Sequence, residues 1–245
     1  MTISKYKKEY VIRTYECDKH ENLRLLTLMN ILQDSADCSA DQLGVGYDFC
    51  VAHGLAWVAA NYHIKVLRMP KIHEHITIQT WPSEEKKLGA IRDYEMFDEK
   101  GKLIIQASTQ WVLINFETKR PQALRANLPM YDVLPEKADP YEFTKIPPVE
   151  SPEFEKSFAV RFDDIDTNNH VNNAVYSLWL SESLPYEFRD NHEIAEMEIT
   201  FKKEALIGEN ITILSALQGN KSLHSIVSAN DGRELARAVL IWAQI

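Results

Sequence analysis

Residues 162–185 read FDDIDTNNHVNNAVYSLWLSESLP. Asp166, Asn168 and His170 alternate immediately ahead of an apolar run, Val171, Ala174, Val175, Leu178, Trp179 and Leu180. That run has apolar residues on most sides, the pattern of a helix surrounded by protein, and Pro185 stops it. Residues two apart in extended backbone point the same way, so the three polar side chains can converge at the helix start. A helix N-terminus offers unpaired N–H groups and the positive end of a dipole, both suited to a developing oxyanion. The same residues also fit a plain capping loop, because short polar motifs are weak evidence alone.

Length and composition set the frame around this stretch. A chain of 245 residues, 45% hydrophobic, buries a real core and fits one large domain or two of ordinary size. No run approaches eighteen consecutive apolar residues, and residues 1–16 lack the apolar core of a signal peptide, so a cytoplasmic protein without a membrane span is expected. The three cysteines, Cys17, Cys38 and Cys50, are odd in number and lack metal-ligand spacing, so they read as reduced thiols. A formal charge of -9 argues against nucleic acid or anionic membrane as partners. An acidic protein partner would need a local basic patch.

Upstream, Tyr10–Tyr15 is a strand candidate, and Leu23–Leu43 carries helical spacing closed by Gly44. β-rich segments follow at 55–67, 76–81, 90–97 and 103–115, with a DEKG turn at Asp98–Gly101. Seven of the ten prolines then fall between Pro121 and Pro152, a density that excludes regular ladders or long helices and reads as a surface linker.

Beyond the linker the same order begins again. Val11-Ile12-Arg13 aligns with Ala159-Val160-Arg161 at an offset of 148. Ile64, Val66, Glu74 and Ile78 align with Ile199, Phe201, Glu209 and Ile213 at 135; Gly101, Ala107 and Trp111 align with Gly232, Ala238 and Trp242 at 131. The chain is therefore expected to be a duplicated α+β unit: 1–120, a linker 121–155, and 156–245. At the first offset Asp18 faces Asp166, but His20 faces Asn168 and Asn22 faces His170. Only the second copy has the full constellation, which favours chemistry there over a shared capping role.

Asp166-Thr-Asn168-Asn-His170-Val-Asn-Asn, then Tyr176, Trp179 and Glu182, then Phe201-Lys-Lys-Glu204, closely resembles the acyl-ACP thioesterases of plants and bacteria. The first half resembles them too, at Trp57-Val58, Arg68-Met69-Pro70, Arg92-Asp93 and Trp111–Asn115. The resemblance implies an α+β tandem double hotdog, each half a long central helix wrapped by an antiparallel sheet, with acyl binding in the first half and catalysis in the second. It implies hydrolysis of fatty acyl-ACP to free fatty acid and holo-ACP, ending chain elongation. It also implies a catalytic network of Asp166, Asn168, His170 and Glu204. Plant members often carry Cys directly after that Glu; here the residue is Ala205.

A thioester is a reactive acyl donor whose leaving thiol has a pKa of about 8.5, so a positioned water and a base suffice. Glu204 is assigned as the base, Asn168 as the group that places the water or polarises the carbonyl, His170 as a donor or proton-transfer partner, and Asp166 as their orienting group. Either Glu204 or His170 fits the role of base. Glu182 faces Asp34 at offset 148 and reads as a structural helix acid held in reserve. No metal and no cofactor are assigned; the substrate itself carries phosphopantetheine.

By the resemblance, the acyl tunnel is lined from the Leu28–Ala40 helix and the Trp57–Val66 strand. Candidates for a basic patch toward the acidic carrier protein are Lys86, Lys87, Arg92, Lys119, Arg120, Lys202 and Lys203. The alternatives are a hotdog acyl-CoA thioesterase and a non-catalytic acyl-binding hotdog. A double hotdog is compatible with a monomer or a homodimer.

Overall fold

A computed structural model describes residues 5–245. Two compact units divide the chain, residues 1–142 and 143–245. The N-terminal unit contains β1 (Tyr6–Val11), α1 (Leu25–Gln42), α2 (Tyr47–Ala52), β2 (Leu55–Val66), β3 (His75–Glu85), β4 (Gly89–Asp98), β5 (Leu103–Asn115) and α3 (Leu124–Asn127). The C-terminal unit contains β6 (Phe154–Ala159), α4 (Asn173–Glu182), α5 (Tyr186–Asp190), β7 (His192–Phe201), β8 (Asn210–Gln218), β9 (Lys221–Ser228) and β10 (Glu234–Gln244).

The first sheet runs β1-β3-β4-β5-β2, with antiparallel pairings between its neighbours. The second runs β6-β8-β9-β10-β7, likewise antiparallel. The orders are identical once the second copy is aligned to the first, which is the duplication read from the sequence. Alternation in β3 sends Ile76, Ile78 and Thr80 inward, and α1 meets that face with Leu25, Leu28, Met29 and Leu32. In the second copy Tyr176, Trp179 and Leu180 of α4 are almost wholly buried, and Tyr176 packs edge-on against Phe201 of β7.

Three details differ from the sequence reading. The first strand lies earlier, at Tyr6–Val11, because the Glu16 carboxylate accepts the Arg13 N–H at 2.7 Å and folds residues 14–16 into a single tight turn. The second central helix is short, 10 residues against 18 in α1, because Ser183 closes it two residues before Pro185, which serves as the N-cap of α5. The proline-rich segment is held to the units at separate points. Trp81 Nε1 donates to the Glu136 carbonyl at 2.8 Å, and Ala138 N–H donates to Asp93 at 3.2 Å. Within the C-terminal unit Arg237 donates to the Ile146 carbonyl at 2.8 Å. Its prolines leave carbonyls and scattered N–H groups to be satisfied by side chains, and the compact units consequently divide inside it, after Glu142.

No helix among the described residues is long and apolar enough to cross a membrane.

Candidate active site

The loop between β6 and α4 is a tight turn rather than the extended segment expected. Asp166 N–H donates to the His170 carbonyl at 2.8 Å and Asn169 N–H to the Asp166 carbonyl at 3.0 Å. Asn169 takes a φ of 62°, a left-handed conformation that Asn tolerates better than most residues. The Asp166 carboxylate sits inside the turn, its Oδ1 accepting the backbone N–H groups of Asn168 at 2.8 Å and His170 at 3.4 Å. Val171 N–H donates to the Ala205 carbonyl at 3.0 Å, tying the turn to the segment after β7. Asn172 then caps α4, its Oδ1 accepting the Ala174 N–H at 2.9 Å.

Glu204 is placed from the other side. Lys202 and Lys203 N–H both converge on the Leu235 carbonyl, at 2.8 and 3.2 Å, so the backbone leaves the β7 ladder there. Arg233 fastens the segment beyond β7: it pairs with Glu209, lies 2.9 Å from Asp231, and donates to the Glu204 carbonyl at 3.4 Å. The result puts His170 Nε2 at 2.9 Å from Glu204 Oε2, with side chains 22% and 45% exposed. Both groups are therefore reachable from solvent. Beneath them, burial pushes the Tyr176 phenol well above its usual range, against the pull of the Ala205 backbone, and the nearby Glu209 and Glu204 carboxylates push it further; it stays neutral.

The N-terminal unit repeats this frame almost bond for bond. Asp18 accepts the N–H groups of His20 at 2.8 Å and Asn22 at 3.0 Å; Glu21 has φ 62°; Leu23 N–H donates to the Pro70 carbonyl at 2.8 Å. Leu67 and Arg68 N–H converge on the Ile104 carbonyl, and Glu74, like Glu209, pairs with an arginine, here Arg68, which aligns with Lys203 and not with Arg233. Three positions separate the copies chemically: where the C-terminal unit has Asn168, His170 and Glu204, the N-terminal unit has His20, Asn22 and Met69.

Of the four residues singled out from the sequence, His170 and Glu204 touch through their side chains, and Asp166 holds the turn that presents His170. It does so through backbone N–H groups, and the carboxylate on the imidazole is that of Glu204. Asn168 is exposed on the same turn, anchored by its own N–H. Arg92, a candidate for the basic patch, is 7% exposed and points to the interior, so it cannot meet a carrier protein. Lys202 is paired with Glu234 and Lys86 lies 3.8 Å from Glu84. Tyr176 and Arg233 were not anticipated as supports; the match of Glu74 with Glu209 was the available signal for the latter.

Comparison with known proteins extends over both units. Residues 3–129 match the family model of the acyl-ACP thioesterase N-terminal domain, and residues 149–244 that of the acyl-ACP thioesterase C-terminal domain. The chain is 29% identical over 273 residues to the chloroplastic oleoyl-acyl carrier protein thioesterase 1 of Arabidopsis thaliana, covering 97% of this chain and 75% of that protein. It is 26% identical over 264 residues to the chloroplastic palmitoyl-acyl carrier protein thioesterase of Gossypium hirsutum, covering 97% and 63% respectively. A crystal structure of an acyl-ACP thioesterase from Bacteroides thetaiotaomicron superposes with a TM-score of 0.88 at 23% identity, over 97% of each chain, which establishes the shared fold.

Proposed function

Because this chain belongs to the acyl-ACP thioesterase family, we propose that it hydrolyses the thioester of fatty acyl-acyl carrier protein, releasing free fatty acid and holo-ACP at the end of chain elongation. The observation that carries this is the 2.9 Å contact between His170 and Glu204 in the C-terminal unit, on a frame whose other copy carries Asn22 and Met69 at those positions.

The contact favours His170 as the base. With Nε2–H donated to Glu204, the lone pair of the neutral ring lies on Nδ1, which has no hydrogen-bond partner among the described residues. Nδ1 takes a proton from water as its oxygen attacks the thioester carbonyl, and the Glu204 carboxylate steadies the imidazolium that forms. The Asn168 carboxamide donates to the developing oxyanion. Collapse breaks the carbon–sulfur bond, and the imidazolium returns the proton to the departing phosphopantetheine thiolate. A base contributes roughly 10²–10⁴-fold and an oxyanion donor about 10²–10³-fold, enough without a covalent intermediate. Asp166 acts as a positioning residue through the turn.

As the family resemblance implies, the acyl chain is assigned to Leu28–Ala40 of α1 and Trp57–Val66 of β2. The cytoplasmic setting read from the sequence belongs to this proposal as well; the plant relatives are chloroplastic.

The test is thiol release from matched acyl-ACP and acyl-CoA panels of increasing chain length. Release from ACP, reduced at least a hundredfold in Asn168→Ala and His170→Ala with unchanged folding, is the expected result. Retention of most activity in both variants overturns the site assignment. Equal or faster release from CoA replaces carrier recognition by the acyl-CoA reading, and no release from either leaves an acyl-binding protein.

A further inference from the structure

The peptide unit that joins Glu204 to Ala205 is held at both of its polar groups. Its carbonyl accepts from Arg233 Nη2 at 3.4 Å, and its N–H donates to the phenol oxygen of Tyr176. The next carbonyl, that of Ala205, accepts the Val171 N–H at 3.0 Å, one residue past His170. Ala205 is fully buried and Tyr176 is 2% exposed, so this N–H depends on the phenol and not on water.

The first copy has the same joint without the phenol. The N-caps of the two central helices, Arg24 and Asn172, are 148 residues apart, which aligns Leu28 of α1 with Tyr176 of α4, and Pro70 aligns with Ala205 at the offset of 135. There too an arginine donates to the carbonyl, Arg68 Nη1 to Met69 at 3.3 Å, and the next carbonyl, that of Pro70, accepts the Leu23 N–H at 2.8 Å. Proline, however, has no N–H to satisfy, and the buried Leu28 has no hydroxyl. The N–H and the oxygen that receives it are present together in one copy and absent together in the other. The copy that has them is the one that sets a carboxylate against an imidazole.

The phenol is itself fixed. Its ring is tilted against Trp179 and edge-on to Phe201, with 5.2 Å between centroids in each pair. A peptide unit is planar, so holding its oxygen and its N–H sets the direction in which the Glu204 side chain leaves the backbone. Glu204 lies beyond the end of β7 and its side chain is 45% exposed, so side-chain packing contributes little to its aim.

We propose that Tyr176 is a positioning residue for the hydrolytic step: its phenol oxygen, by holding the Ala205 N–H, aims the Glu204 carboxylate at His170. It acts through the backbone and needs no contact with substrate. The inference rests on the reading of His170 and Glu204 as the base and its partner.

The experiment is Tyr176→Phe in the full chain, which keeps the ring and its packing and removes one oxygen. Thiol release from acyl-ACP is measured beside thermal melts and amide hydrogen exchange at Ala205. The expected result is a kcat at least tenfold lower with KM within twofold, and an Ala205 N–H that exchanges at least tenfold faster. In a Glu204→Gln background the same change is expected to lower kcat less than twofold, because the group it aims is already lost; a general loosening of the core would lower kcat by the same factor in both backgrounds. The proposal is overturned if a folded Tyr176→Phe keeps kcat within twofold, or if its loss multiplies with that of Glu204→Gln. If Tyr176→Phe does not fold, exchange in the unaltered protein decides: a protected Ala205 amide supports the proposal, and one that exchanges as fast as an open loop overturns it. Failure of the underlying reading shows separately, as full activity in Glu204→Gln or no release by the unaltered protein, and overturns this assignment with it.

Discussion

Asp18 and Asp166 do the same work 148 residues apart: each carboxylate accepts the backbone N–H groups two and four positions on, at 2.8 and 3.0 Å in the first copy and 2.8 and 3.4 Å in the second. The aspartate is part of the frame, and what differs is the side chain that the turn presents. Asp18→Ala is expected to lower stability by about 1 kcal/mol, the net worth of such bonds on an exposed turn, with kcat within twofold of the original. Asp166→Ala costs a similar amount of stability but lowers kcat at least tenfold, because His170 is no longer held. Chemical denaturation alongside thiol-release kinetics checks both; equal loss of kcat in the two variants contradicts the division of labour.

His170 and Glu204, acting as one unit through the 2.9 Å contact, predict strong non-additivity. His170→Ala and Glu204→Gln each reduce kcat by a hundredfold or more, and the double variant loses little beyond the worse single one. Losses that multiply indicate two independent roles and return Glu204 to the role of separate base.

Glu182 offers a control on the neighbouring helix. It pairs with Arg189, lies 3.7 Å from Lys156, and its side chain is 42% exposed. Such surface pairs contribute about 0–1 kcal/mol. Glu182→Gln therefore leaves kcat within twofold and the melting temperature nearly unchanged. A hundredfold loss of activity moves the reactive carboxylate onto α4.

His224 gives the protein a pH-dependent stability independent of catalysis. Burial lowers its pKa to about 3 from the ordinary 6.5, so the ring stays neutral in the folded chain while the unfolded chain protonates it. The unfolded state binds the extra proton between these values, and stability is lost as pH falls from about 6.5 toward 3, at up to about 1.36 kcal/mol per pH unit. Carboxylates held low by cations, such as Glu74 beside Arg68 and Glu234 beside Arg237 and Lys202, add losses of the same sign at lower pH. The contribution of His224 is thus the difference in slope between the natural chain and His224→Gln, measured by denaturation at pH 7, 6 and 5. Equal slopes refute it.

Much of this was legible in the residue order. Alternation in β2, β4 and β5 and the helical spacing of α1 respond to a buried face and therefore survive in one dimension; the identical order of elements after the proline-rich segment gave the duplication. The differences Asn22 to His170 and Met69 to Glu204 single out two of the functional positions from the residues alone.

What the residue order could not convey is where a turn reverses. The alternation of Asp166, Asn168 and His170 suggested extended backbone, yet one left-handed residue, Asn169, and a carboxylate taking two N–H groups fold the segment back on itself. That reversal decides that Asp166 binds backbone and leaves the imidazole to Glu204, a partner 34 positions away. Arg92 shows the same limit: its charge in the sequence signals a surface, and only the packing of α1 over β3 and β4 shows that Ser39 and Thr80 draw it inward. Periodicity records which face of an element avoids water, because that is a property of neighbouring residues. Contacts between residues far apart depend on how strands register and turns close, so the partners of a side chain, and with them its chemistry, were decided by the tertiary structure.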